Sequence, residues 1–472
     1  MSRAPNNNEF MVICAVCQRP TPVGRTFCQY CWSVLRGDVV SARQLEEMVK
    51  QGAERLRARR KVRLLTIGLV VLVVVLLTTC LSLYYGTDFL VKPPAWLDSD
   101  SSAGDWAMFR HGLRRSGCCD SIGILPQGNL RWVFQSGASI HSSPAIAGNA
   151  VYFGSRDHRL YAIDAATGAK RWEYVTGSWV ESSPAVVDGV VYVGSNDGKL
   201  HAVEAETGRK LWEFAVGYPV RSSPAVAGEA VYFGADDYSV YAVHAVKGVK
   251  LWQFVTDGYV ASSPAVAEGI VYVGSNDGFC YALDGLSGRL RLRFKAYSPV
   301  PASPAVSQGV VYCCNFSGRL FAFDGKARSS PWEHELRPYW LQAYAFGLPV
   351  PKPSPQSGFL WEFKIANRVE SSPLVTDDTL YIGATNKLVA IDLATHQKRW
   401  EFVPDGVIVG CIAKCGDNIY LGTGRGNLYA INAETGEVLW KFNISSAITS
   451  SPSVSQGVIY IGSDDGALYA IE

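Results

Sequence analysis

Residues 182–214 read SSPAVVDGVVYVGSNDGKLHAVEAETGRKLWEF, and the chain keeps returning to that pattern. Ser-Ser-Pro recurs at Pro144, Pro184, Pro224 and Pro264, each 40 residues after the last. Ala-Ser-Pro at Pro304 keeps the interval; after an insertion the pattern resumes at Pro373, passes a copy with Ile412 in the proline place, and ends at Pro452. Twelve residues ahead of these positions stand Trp132, Trp172, Trp212, Trp252, Leu292, Trp361, Trp400 and Trp440, so the copies number eight. Each holds four short β-branched or aromatic runs separated by turn residues such as Asn196, Asp197, Gly198 or Thr167, Gly168. One four-stranded sheet cannot bury both its faces, and a period near 40 with this content predicts stacked blades rather than a helical solenoid. The expected class is all-β, an eight-bladed β-propeller of four-stranded antiparallel blades. The lone strand at 130–134 is placed to complete the last blade, which ends after only three strands.

Working outward, the 472 residues are 48% hydrophobic and 18% charged, with 45 Gly and 13 Trp, which excludes a disordered chain or a charged coiled coil. The net charge of +2 removes the usual argument for nucleic acid. That charge is unevenly spread: residues 1–63 hold 12 Lys+Arg and 5 Asp+Glu, the remainder 32 and 37. Between them, 64–85 run 22 residues without a charge, long enough as a helix for a bilayer core and too far from Met1 for a secretory signal. Arg55, Arg57, Arg59, Arg60, Lys61 and Arg63 flank it on the N-terminal side. The positive-inside bias predicts a single-pass anchor in the cell membrane, the N-terminus cytoplasmic and the repeats extracytoplasmic. Residues 37–63 read as a basic helical stem, capped by Ser41 with Gln44.

Cys14, Cys17, Cys28 and Cys31 form two Cys-x2-Cys knuckles in a stretch too poor in apolar residues to fold on a core. Four thiolates suit structural zinc and leave no open coordination position for a catalytic water. The stretch resembles the short zinc-ribbon modules at the N-termini of many prokaryotic membrane proteins. The expected domains are a ribbon at 1–36, the stem at 37–63, the span at 64–85, a linker and lead-in at 86–126 and the propeller at 127–472.

Ala162, Asp164, Thr167, Gly168 and Trp172, echoed at Ala202, Thr207, Gly208, Trp212 and at Ala430, Thr435, Gly436, Trp440, resemble the tryptophan-docking repeat of quinoprotein propellers. The lead-in at 105–111 resembles that of their extracytoplasmic members. The resemblance implies that Trp132, Trp172, Trp212, Trp252, Trp361, Trp400 and Trp440 lock neighbouring blades. It also raises a dehydrogenase using pyrroloquinoline quinone and Ca²⁺, which needs a cofactor-sized pocket, oxygen ligands and a carboxylate base. Seven of the eight copies are 39 or 40 residues long, leaving tight turns instead of pocket-building insertions. Cys313-Cys314 and Cys118-Cys119 resemble the neighbouring-cysteine disulfide of some such enzymes but stand at unsuitable positions. Asp157, Asp197, Asp237, Asp277 and Asp465 read as turn formers, the histidines show no ligand spacing, and Cys411 and Cys415 are placed to bridge locally. The expectation is therefore no enzyme and no quinone.

Recognition is expected where the copies differ. Before the prolines stand His141, Glu181, Arg221 and Glu370, with Trp179, Tyr218, Tyr259 and Tyr297 slightly earlier, on the face formed by the second-to-third hairpins. The one long insertion, 325–358, carries Trp332, Tyr339, Trp340, Tyr344 and Phe346 before a proline-rich tail and is expected to project from the opposite face as a partner arm, or to fold back as a plug. Similarity to the propeller lipoproteins of the outer-membrane protein assembly machinery implies a non-catalytic scaffold for envelope proteins. The alternatives are the dehydrogenase and a sensor relaying to a cytoplasmic partner of the ribbon.

Overall fold

The computed structural model describes residues 10–36, 39–86, 106–119, 125–330 and 332–472, in two compact units, Met1–Val91 and Lys92–Glu472. In the first, Phe10–Ile13 pairs antiparallel with Pro20–Pro22 on one side and Val39–Ser41 on the other. Helix α1 follows over Ala42–Gly86. Its start is the predicted capping box: the Ser41 amide donates to Gln44 Oε1 at 3.0 Å, and the Gln44 amide to Ser41 Oγ at 3.4 Å. From Leu64 to Leu76 every side chain of α1 is exposed. Among the described residues no helix is long and apolar enough to cross a membrane; the expected span from Leu77 onward lies outside the described side chains.

The described residues form nine sheets, the small one above and eight in the second unit. Seven of those eight are four-stranded, antiparallel and share one order; the eighth has the same four strands and adds Cys118–Cys119 of the lead-in, parallel to Ala413–Cys415. In the copy quoted at the outset, Ala185–Val187, Val190–Ser195, Lys199–Glu204 and Lys210–Ala215 pair as an antiparallel meander. The inner three strands are mostly buried, whereas the outer one alternates, its Trp face turned inward and its charged face to water. Opposite each docking residue lies an alanine, as in Ala202 facing Trp212, and the register shifts immediately after it. In the closing sheet, Ala467–Ile471 pairs with Leu130–Gln135, so the first outer strand does complete the last sheet.

Two rings of contacts hold the sheets to each other. At the inner strands, the second Ser of each Ser-Ser-Pro donates its amide to the next copy's hydroxyl: Ser143 to Ser183, Ser183 to Ser223, Ser223 to Ser263, Ser263 to Ser303 and Ser303 to Ser372. Ser372 donates to the Cys411 sulfur, Cys411 to Ser451, and Ser451 back to Ser143, which closes the circle in eight steps. The Ser-Ser-Pro repeat is thus a seam, and Cys411 is the serine of the degenerate copy. At the outer strands, Trp Nε1 donates to the carbonyl 33 residues on: Trp132 to Ala165, Trp172 to Ala205, Trp212 to Ala245, Trp252 to Gly285 and Trp400 to Ala433, at 2.8–3.1 Å. Trp440 finds its acceptor in Pro126, just ahead of the closing strand. Gly168, Gly208, Gly248, Gly288 and Gly436 lie under the indoles of Trp132, Trp172, Trp212, Trp252 and Trp400; at Gly288, φ is +69° and a Cβ would stand 2.6 Å from Trp252. Where His396 replaces that glycine, its ring stacks on Trp361 at 4.6 Å.

Leu292, in the place of a Trp, is buried, and the junction it serves is fastened differently. A disulfide joins Cys280 to Cys313 of the next sheet. The long insertion runs along the exposed edge of the strand Leu290–Lys295: Ser329 N donates to Arg291 O, Arg293 N to Ser329 Oγ, and Gln356 bonds both the amide and the carbonyl of Lys295. Its helix α2, Glu333–Ala345, contributes His334, which bonds Arg293 O. The insertion therefore neither projects from the opposite face nor plugs the ring. Unpaired edge amides and carbonyls drew it sideways.

The lead-in fills the axial end instead. Carbonyls of Trp106, Ala107, Leu113, Arg114, Ser116 and Gly117 accept from the inner-strand amides of Ile146, Val186, Val266, Val306, Val375 and Lys414, six different sheets. Arg115 reaches across to the carbonyls of Ser223, Pro224 and Pro264, and Arg110 to that of Pro373. Both guanidiniums are buried; burial, then the neighbouring Arg110 charge, pulls Arg115 down to about 9.

Candidate functional site

The four predicted metal ligands converge. Cys14 and Cys31 sulfurs lie 3.5 Å apart, as do Cys17 and Cys28, and all four are within 4.8 Å of one another. A tetrahedron of Zn–S bonds of about 2.3 Å has edges of about 3.8 Å. Both knuckles fold alike: Gln18 N donates to Cys14 O and Trp32 N to Cys28 O, each at 2.9 Å, with Gln18 at φ 57° and Trp32 at φ 59°. The Ser33 hydroxyl and the knuckle amides hold the Cys14 thiol down at about 6, whereas lost hydration and neighbouring sulfurs push Cys17 up to about 12. Such a cluster becomes four thiolates only together with a cation.

The predicted recognition residues divide into groups. Glu181 accepts from Arg156 and Asn196 and lies 3.9 Å from Arg221, so one carboxylate ties two arginines together. Burial pushes the Glu181 carboxyl up, but the bonds from Arg156 and Asn196 outweigh it and leave the group below the usual range. Arg156 lies over the Trp179 ring at 4.9 Å. Arg221 continues to Asp236 at 3.3 Å, and Tyr259 packs on Tyr238 with ring centroids 5.0 Å apart. Tyr218, Arg221, Asp236, Tyr238, Tyr259 and Asn276 line an open cavity of about 640 Å³. His141 pairs with Asp464 at 3.2 Å beside this group; burial, then the Arg156 charge, holds its imidazole below the ordinary range.

Glu370 stands apart, paired with Arg368, which covers Phe316. Tyr297 meets Arg337 of the insertion at 3.4 Å. Trp340 donates to Pro351, within the insertion, while Trp332 is exposed. The vicinal cysteines do not pair with each other: Cys313 bonds Cys280, Cys314 is free and buried, and Cys411 is free while Cys415 is disulfide-bonded, so the expected Cys411–Cys415 bridge does not form. Cys411 is held in the serine seam, away from that use.

Sequence reasoning missed Arg156, Asp236 and Tyr238. Tyr238 did carry a signal, since it occupies the hairpin position held by Gly198, Gly278, Gly318, Gly426 and Gly466. Burial raises the Asp236 carboxyl, with the Arg221 charge opposing. A carboxyl raised on folding stabilises below its unfolded value of 3.8 and loses that contribution as pH climbs through the folded value. Asp236→Asn is therefore expected to raise the thermal midpoint at pH 7 and to lose that advantage below about pH 4, checked by thermal scans across pH.

The fold has many solved counterparts. The assembly factor BamB from Moraxella catarrhalis aligns at TM-score 0.56 and 18% identity, over 72% of this chain and 98% of that one. The quinohemoprotein alcohol dehydrogenase from Comamonas testosteroni aligns at 0.64 and 14%, over 83% of each, and a europium-containing methanol dehydrogenase at 0.61 and 13%, over 80% and 99%. These likenesses carry the fold alone. A search among curated proteins returns no match. Over residues 125–178, 176–336, 257–403 and 406–472 the chain matches the family described as outer membrane protein assembly factor BamB, and with the ring, the serine seam and the docking tryptophans in place it belongs to that family.

Proposed function

We propose that the chain is a membrane-anchored, non-catalytic binding scaffold: an eight-bladed propeller outside the cell membrane, a zinc ribbon inside, and an envelope-protein assembly role in keeping with its family. The observation that carries the reading is the filled axis. The chain's own lead-in, with Arg110 and Arg115, occupies one end of the ring, while exposed aromatic and charged side chains gather on the face of the second-to-third hairpins. A quinone dehydrogenase would use the axial space, and the neighbouring-cysteine disulfide that some such enzymes carry is not made by Cys313, which is bonded to Cys280. Redox chemistry supports the two compartments, since the second unit carries the Cys280–Cys313 disulfide and the first a cluster of free thiols. The bare apolar surface of α1 from Leu64 supports the anchor.

The test is crosslinking capture from native membranes with the full chain and with a Trp179→Ala, Arg221→Ala, Tyr259→Ala variant. Loss of the crosslinked envelope proteins in the variant, with an unchanged thermal midpoint, is the expected result. Equal capture by both chains would remove this face as the docking surface.

A further inference from the structure

We infer that the cavity between Tyr218, Tyr238 and Tyr259 is a subsite for a neutral glycan, an assignment that rests on the reading of this face as a binding surface. The first argument is conformational. Five other copies place glycine at the hairpin position of Tyr238, whose φ is +68°, a region that bulky side chains avoid. His158 shares the geometry in the first copy. A strained backbone held for the sake of an exposed ring, 43% accessible, points to a use for that ring. Tyr218 and Tyr259 are likewise half-exposed, so three phenol faces meet around one cavity.

The second argument is chemical. Asp236, 8% exposed, lines the cavity, and Arg221 is the one group among the described residues that its carboxylate pairs with. Its remaining lone pairs call for hydroxyl donors, and Arg221 and the phenols offer donors to match. A pyranose ring supplies both kinds of polar group at its rim and a patch of C–H bonds that stacks on a phenol face. A cation would meet Arg221; an anion would meet Asp236, Asp237 and Glu181. A proline-rich peptide, the usual occupant of tyrosine-lined grooves, brings acceptors but few donors and would leave Asp236 unserved. A neutral sugar satisfies all of these groups together.

The experiment uses the full chain in lipid nanodiscs, which avoids sugar-headed detergents, titrated calorimetrically with maltohexaose, cellohexaose, chitohexaose and decaproline. At least one hexasaccharide is expected to bind with Kd below about 1 mM. Tyr238→Gly should weaken it about tenfold or more while leaving the thermal midpoint equal or higher, because the strain goes with the ring. Asp236→Asn should weaken it as well. Absence of binding for all three sugars at about 10 mM, binding that both variants retain, or decaproline binding with the same Tyr238 dependence would each overturn the assignment. Envelope-protein capture is read separately, so a scaffold without a sugar site and a face that binds nothing give different results.

Discussion

Chelation of the full chain is expected to release one zinc ion and to melt residues 10–36, and Cys14→Ser should do the same without a chelator. The sheet of this unit is three short strands, and among the described side chains of residues 11–36 the buried ones are Cys14, Thr21 and Cys28, far too little apolar surface to offset the ordering entropy of the segment. Metal binding to such a site is worth about 10–16 kcal/mol at neutral pH, and with no competing core that binding energy is the folding energy. Sulfur-to-metal charge-transfer absorption that appears on cobalt substitution and disappears on chelation or in Cys14→Ser, together with loss of dispersed amide signals for these residues in the metal-free chain, checks it. A ribbon that keeps its amide dispersion after complete metal removal would show that something other than the thiolates folds it.

Trp252→Ala is expected to cost about 3–5 kcal/mol and to be the most damaging single truncation in the ring. The indole is 8% exposed, donates to Gly285 O at 2.9 Å, and is packed against Tyr232 at 5.7 Å between ring centroids. Its removal leaves a cavity between two sheets and leaves Gly285 O to the Tyr232 hydroxyl alone. Gly288→Ala should approach the same loss from the other side, because the new methyl would meet a rigid indole at 2.6 Å on a backbone at φ +69°. Trp361→Ala provides the contrast. It stacks on His396 and, among the described residues, makes no indole hydrogen bond, so its loss should be clearly smaller. Urea midpoints of the three variants give the order; a Trp361 variant as unstable as the Trp252 variant would mean that the indole hydrogen bond and the fit over glycine do not set the loss.

Repetition made the ring legible. Trp172 and Trp252 sit in near-identical surroundings because the residues around them recur at fixed spacing, and the strand at Leu130–Gln135 announced its role by lacking its three companions. The lead-in was opaque because it binds mainly through backbone carbonyls, which every sequence possesses. The Cys280–Cys313 bond is hard to see in the sequence because its partners are 33 residues apart, the same offset that carries Trp252 to Gly285, while each of two other cysteine pairs is adjacent. The four-residue spacing of Cys411 and Cys415 suggests a local bridge, but the alignment of Cys411 with Ser143 and Ser451 marks it as a seam residue. The course of the insertion followed from an edge strand in need of partners, which depends on the sheet rather than on the loop's own residues. At the thiol cluster, by contrast, spacing alone sufficed, because two knuckles with one residue each in a left-handed turn bring their sulfurs together by local geometry.

The claim that the second unit binds and does no chemistry is tested most directly by titrating the purified full chain with pyrroloquinoline quinone and Ca²⁺ and then assaying alcohol-dependent dye reduction. With the axial end held by Arg110, Arg115 and the lead-in carbonyls, neither saturable uptake of the quinone nor turnover is expected. Stoichiometric uptake accompanied by dye reduction that requires both quinone and alcohol would contradict the account.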